Sequence, residues 1–323
     1  MSKPALAAQV AKLRALAHAK ADAVQGGEWL VSTPDSTYER FLQGHGLHVD
    51  TALSLMVDAA KWRKEFELDK LMDTWETDDS IEAVILRGYI PIGTVGVNRT
   101  GKPVIVNRLS AIDFTNLNAA VGMSNMLKHI VFLAEKHVRN NPTGNSTLVF
   151  DVSPEYMTVS TFNDVRQWIT TFTLFVKKLS AIVDPYYPEL YKEIIFCNAQ
   201  KMFMVTWNVI KTFLAHHTVE KVKILSQDPL PTLLELMDLN VIPDFLDGHN
   251  DCSMIGIGGP LPNPLTTEFI LSMKSAKKTA NKHRSVMHPA KIDESIHHAV
   301  IEDTEAADKP GPDAPPGERC TLM

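Results

Sequence analysis

At 323 residues, with 45% hydrophobic and 22% charged residues, the chain has an ordinary globular balance and apolar content for a sizeable core. Its formal net charge of −6 argues against nucleic acid as a partner, because phosphate neutralisation needs a basic face. Three widely spaced cysteines, Cys197, Cys252 and Cys320, make neither a disulfide framework nor a metal spacing, which points to a reducing, cytoplasmic compartment.

No run of about 18 apolar residues is present, so no segment reads as a membrane span. Lys3, Lys12, Arg14 and Lys20 precede the first acidic residue, Asp22, in an Ala- and Leu-rich pattern. With only one Arg and one Ser, it reads as a surface helix rather than a targeting signal. That helix is predicted over 5–24 and ends at Gly26-Gly27. Ser32-Thr33-Pro34-Asp35 predicts a second start, opening a helix through Phe41-Leu42 that Gly44 and Gly46 break. Asp50 is expected to cap a third, in which Leu53, Met56, Val57 and Ala60 recur at helical spacing. A short helix follows near 81–87.

The texture then changes. A turn at Asn98–Lys102 leads into Pro103-Val104-Ile105-Val106, a strand start. A helix is predicted over 119–139, a buried strand over Thr147–Val152, and a long helical pattern over about 158–183. Further strands are expected at Glu193–Asn198 and Val222–Leu225, with helices at Phe203–Leu214 and Leu230–Met237. Alternating strands and helices predict an α/β layer with a largely parallel sheet. Beyond Gly248 the pattern decays into a Gly/Pro-rich stretch at 256–264, a basic one at 274–284 and an acidic, Pro-rich one from 302, which predicts a disordered tail.

Searching for catalysis finds no motif. Gly256-Ile257-Gly258-Gly259-Pro260 lacks the third glycine of a dinucleotide turn and carries Pro where a helix must start. Gly122-Met123-Ser124-Asn125-Met126 lacks the second glycine of a nucleophile elbow. The pairs His216-His217 and His297-His298 are adjacent, so helical side chains would diverge by about 100°. They read as surface residues rather than metal ligands. The sequence therefore predicts no enzyme, no metal and no cofactor.

Nine segments in order carry a family resemblance over roughly 36–250. Tyr38-Glu39-Arg40-Phe41-Leu42, Val49-Asp50-Thr51-Ala52 and Lys61-Trp62-Arg63-Lys64-Glu65-Phe66 resemble the helical lead-in of CRAL-TRIO proteins. Gly101-Lys102-Pro103-Val104 resembles their G-R-P-V strand entry, with Lys for Arg. Asp184–Glu189 resembles the Y-P-E segment, Asn198-Ala199 the N-A-P strand end, and Ile210–Leu214 the K-P-F-L helix end. Lys221–Leu225 and Ile242–Gly248 are similar to the last strand and its closing turn.

The resemblance implies a helical N-lobe over 1–85, a lipid-binding domain over 86–252 and an extension over 253–323. It also implies a mostly parallel sheet with flanking helices enclosing an apolar lipid pocket. A mobile gate helix is implied at about 202–215, with Phe203, Val205, Trp207, Ile210 and Phe213 as gate and pocket residues. Those residues are apolar nearly all round, as a lid between lipid and membrane needs; a helix buried on both sides is the alternative.

Three positions match the family's phosphatidylinositol head-group contacts: Glu189, Thr218 and Lys221. A lysine and a hydroxyl suit a phosphate oxygen, while a carboxylate suits inositol hydroxyls or orients the lysine. A bare Glu189–Lys221 salt bridge is the structural alternative. The choline pattern departs from the family: Ser146 is present, but Leu148 replaces Thr, and Ile105 and Ala134 stand where tyrosines would supply cation–π contact.

Cys320-Thr321-Leu322-Met323 fits a C-a-a-X prenylation signal of the farnesyl type. The expected function is binding of one phospholipid, phosphatidylinositol first, with exchange or presentation at membranes by a peripherally associated protein. Two alternatives stay open: a lipid-sensing scaffold recruiting a protein partner through the N-lobe or tail, and a carrier of a tocopherol- or retinoid-like molecule.

Overall fold

The computed structural model describes residues 3–154 and 162–252. The basic stretch at 274–284, the Gly/Pro-rich stretch at 256–264 and Cys320 lie outside them, as does the start of the helix predicted from 158.

The chain begins with four helices: α1 (Lys3–Ala21), α2 (Glu28–Ser32), α3 (Asp35–Gly44) and α4 (Val49–Glu65). In α1 the buried residues are Val10, Leu13, Ala17 and Ala21, a stripe at spacings of three and four. They meet Leu30, Tyr38, Phe41, Leu42 and Met56 in one apolar cluster. Gly26 is required at the turn after α1. Its φ is 75°, and a Cβ there would stand 2.3 Å from the Ala60 carbonyl oxygen. Of two predicted starts, the one within 32–35 holds and the Asp50 cap is corrected. Ser32 ends the short helix α2, and Pro34 occupies the N-cap of α3. His48, not Asp50, precedes α4; Asp50 sits in its first turn, where a carboxylate favours the helix dipole.

After α5 (Leu68–Thr74) and α6 (Ile81–Tyr89) comes a five-stranded sheet. Its strands, in spatial and chain order, are β1 (Ile92–Val97), β2 (Pro103–Arg108), β3 (Ser146–Asp151), β4 (Tyr191–Cys197) and β5 (Val222–Ile224). β1 pairs antiparallel with β2, and the other neighbours are parallel. The β1–β2 turn is built by Asn98, whose Oδ1 accepts from the Thr100 and Lys102 amides at 2.9 and 3.0 Å.

The helices between strands are α7 (Phe114–Val121), α8 (Met123–Asn140), α9 (Phe162–Tyr186), α10 (Lys201–Ile210), α11 (His216–Glu220) and, last, α12 (Leu230–Leu236). The single helix predicted over 119–139 is two, because Gly122 adopts φ 80°, ψ 151° between α7 and α8. One sheet face, with Val104, Val106, Val149 and Ile195, packs on Leu233, Met237, Ile242 and Leu246. The other, with Phe150, Ile194 and Phe196, packs among residues of α7 to α10. Burial on both faces is why β3 and β4 carry the short apolar runs Leu148-Val149-Phe150 and Ile194-Ile195-Phe196-Cys197.

A buried ion cluster joins the N-terminal helices to the sheet layer. Arg63 of α4 donates both terminal nitrogens to Glu135 of α8, at 2.9 and 2.6 Å. Glu135 also accepts from Arg139 at 3.0 Å and from the Tyr187 hydroxyl at 3.1 Å. Beside it Trp62 stacks on Tyr186, with ring centroids 4.5 Å apart.

Candidate functional site

The three residues expected to contact a head group, Glu189, Thr218 and Lys221, come from two segments that the sheet brings together. Glu189 follows α9 with a left-handed φ of 54°. Its carbonyl accepts from the Asn145 amide at 3.0 Å, and Gly144 packs so closely that a Cβ would lie 2.2 Å from that oxygen. Lys221 ends α11, and its own carbonyl accepts from the Ile194 amide at 2.9 Å, entering the β4–β5 ladder. The Lys221 ammonium donates to Glu189 Oε1 at 2.7 Å, with the two side chains 19% and 17% exposed. The pair is thus reachable from solvent but largely shielded.

Thr218 lies one helical turn before Lys221 and donates to Asp184 Oδ1 at 3.2 Å. The other oxygen of Asp184 accepts from the Ala215 amide at 3.3 Å. Asp184 therefore sets the start of α11, a role the sequence reading missed although the residue opens the Y-P-E-like segment. Also missed was His45 at the end of α3, for which no sequence signal exists. Its Nε2 is buried without a partner. Burial and then the neighbouring His217 pull its pKa below the usual imidazole range, against the opposing pull of Glu189.

The residues expected to form a gate divide by face. Trp207 and Ile210 are buried, with Phe203 and Phe213 part-buried beside them. Phe196 of β4 meets Phe203 at 4.8 Å and Trp207 at 5.9 Å between ring centroids, so α10 lies closed on the sheet. The opposite face of α10 is apolar and exposed: Met202, Met204, Val205 (65% exposed) and Val209. The helix is shorter than the predicted 202–215. After Ile210 the amides of Thr212 and Phe213 bond three residues back, and Ala215 is drawn onto Asp184.

At the choline positions, Ile105, Ala134 and Leu148 are buried. The Ser146 hydroxyl is fully buried and already shared by His137 Nε2 at 2.7 Å and Asn141 at 2.9 Å. Among the described residues no helix is long and apolar enough to cross a membrane.

Comparison with known proteins places the fold. The CRAL/TRIO domain family matches residues 88–248. The phosphatidylinositol/phosphatidylcholine transfer protein SFH12 of Arabidopsis thaliana is 26% identical over 245 residues, 70% of this chain and 42% of that protein. SFH11 of the same plant, also a phosphatidylinositol/phosphatidylcholine transfer protein by name, is 25% identical over 292 residues, 82% of this chain and 73% of its own. The chain thus spans about two fifths of the length of SFH12 but most of SFH11. The crystal structure of Sfh5 superposes with a TM-score of 0.61 at 17% identity, covering 87% of this chain and 99% of that one, a likeness of fold.

Proposed function

Because the chain belongs to the CRAL-TRIO family through residues 88–248, we propose that it carries one phospholipid at a time and exchanges or presents it at membrane surfaces. In this reading residues 1–85 are a supporting lobe, 86–252 hold the lipid, and Glu189, Thr218 and Lys221 hold a phosphatidylinositol head group. The protein acts as a carrier rather than a catalyst. The observation that carries the proposal is α10, apolar on both faces. Trp207 and Ile210 point to the sheet, while Met202, Val205 and Val209 meet solvent. A helix in permanent contact with water has no use for that outer face, whereas a lid that opens into a lipid surface does. Exposed Lys201 and Lys211 flank the face and suit anionic head groups.

Transfer of labelled phosphatidylinositol between vesicles tests this directly. Val205→Asp is expected to cut transfer roughly tenfold or more, because a carboxylate is costly in the lipid layer, and to leave the unfolding transition unchanged. Trp207 is a poor probe, since an acid there enters the core and unfolds the chain. Transfer by Val205→Asp at the native rate would overturn the lid.

The head-group reading has its own test. A charge-assisted hydrogen bond contributes about 1.5–3 kcal/mol, so Lys221→Ala is expected to weaken phosphatidylinositol loading roughly 10- to 100-fold. Binding that rests on buried tail area is retained. Equal loss of every lipid would mark the Glu189–Lys221 pair as structural only. The crowded choline position, with Ser146 already committed to His137 and Asn141, favours a second ligand other than phosphatidylcholine.

A further inference from the structure

Between the N-terminal helices and α8 lies a cleft of about 640 Å3, within the range of small-molecule pockets. Its wall carries five cations and four carboxylates. Arg63 and Arg139 are taken by Glu135 and Asp69, Lys64 by Glu28 and Lys70 by Glu67. That leaves Arg40. It is 3% exposed and makes no ion pair among the described residues. Its Nε donates to the Pro142 carbonyl at 3.0 Å and Nη1 to the Pro188 carbonyl at 2.9 Å. Burial, only partly offset by Glu135 nearby, pulls its pKa down to about 10. The same residue lines a second cleft of about 230 Å3 together with Lys102 and Thr143.

A buried cation hydrogen-bonded only to carbonyls is costly, and an entering anion relieves it through charge-assisted hydrogen bonds. Lys64 and Lys70 stand in the same wall, and the hydroxyls of Ser32, Thr33 and Thr37 add further donors. A phosphate, with more acceptor positions than one carboxylate, suits that many donors. From this arrangement we propose that the cleft is a second binding site, distinct from the Glu189–Lys221 pair, for a small phosphate-bearing anion centred on Arg40. The anion comes either from a soluble phosphate compound or from a phosphorylated lipid head group.

Calorimetric titration of the full chain with inorganic pyrophosphate at pH 7 and moderate salt tests the site. Parallel titration with vesicles containing phosphatidylinositol 4-phosphate separates the two sources. Saturable binding is expected to one probe at least. Pyrophosphate binding alone identifies a soluble source, and binding only to the vesicles a lipid one. The Lys64→Ala/Lys70→Ala double variant removes two side chains that are 58% and 69% exposed, so it folds normally. It is expected to weaken binding about tenfold or more. Arg40→Gln is expected to abolish binding; if that variant fails to fold, the double variant still decides. Failure of both probes to bind, or affinity unchanged in the double variant, would overturn the proposal.

Discussion

Glu135→Ala is expected to destabilise the fold by about 3–5 kcal/mol, the cost of removing one partner from a buried ion cluster. Glu135 is 3% exposed along its side chain and satisfies Arg63, Arg139 and the Tyr187 hydroxyl at once. Its loss strands Arg63, itself 13% exposed, against Trp29, over whose ring its guanidinium lies at 4.8 Å. Because the cluster ties α4 to α8, the damage falls on the junction of the helical lobe and the sheet layer. Urea unfolding checks it, and a loss below about 1 kcal/mol would show that the cluster is solvated, as surface pairs are. The pH dependence follows the same chemistry. Burial pushes the carboxyl up, but the hydrogen bonds and charges of Arg63 and Arg139 outweigh it and hold the group below its ordinary value. A depressed carboxylate stabilises the fold above the unfolded value, about 4.3. That contribution is lost as pH falls below the unfolded value and through the folded one.

Acid is expected to act on a second residue at a higher pH. His129 is 3% exposed, and its Nδ1 accepts from the Trp75 indole N–H at 3.0 Å, which places the ring proton on Nε2. Burial first, and then Arg87, pull its pKa down to about 4. The unfolded chain takes up this proton near pH 6.5, whereas the folded chain refuses it until about pH 4. The unfolded state therefore binds more protons in between, and stability falls as pH drops through that window. The full loss is about 3 kcal/mol. His129→Gln keeps an acceptor for Trp75 and removes this titration, so its stability is expected to decline clearly less between pH 6.5 and 4 than that of the native chain. Parallel curves for the two proteins would sink the assignment. The windows also separate the residues: His129 acts above pH 4 and Glu135 below the ordinary carboxylate range.

Much of the sheet was legible because its cause is local. β2, β3 and β4 each contain a run of three or four apolar residues, and strands buried on both faces demand such runs. β1 was not legible. Ile92-Gly93-Thr94-Val95-Gly96-Val97 carries two glycines and weak strand preference, and it extends because β2 offers it a ladder. The break at Gly122 and the early end of α10 at Ile210 were hidden for a related reason. Helical periodicity continues through both, while a positive φ in one and the Asp184 carboxylate in the other divert the backbone.

The chain's own residues determined most of the helices, the strands β2 to β5, the apolar character of α10, and which three side chains resemble a head-group set. Those properties depend on residue type and on spacing within a single segment. Only the tertiary structure decided that Lys221 reaches Glu189 across 32 positions, and that Ser146 is already occupied by His137 and Asn141. It also decided that Val205 faces water while Trp207 faces Phe196, and that Arg40 is buried without a carboxylate. Each of these is a matter of distance and burial between segments far apart in the chain. Such distances are set by how helices pack on the sheet, and no local pattern of residues encodes them.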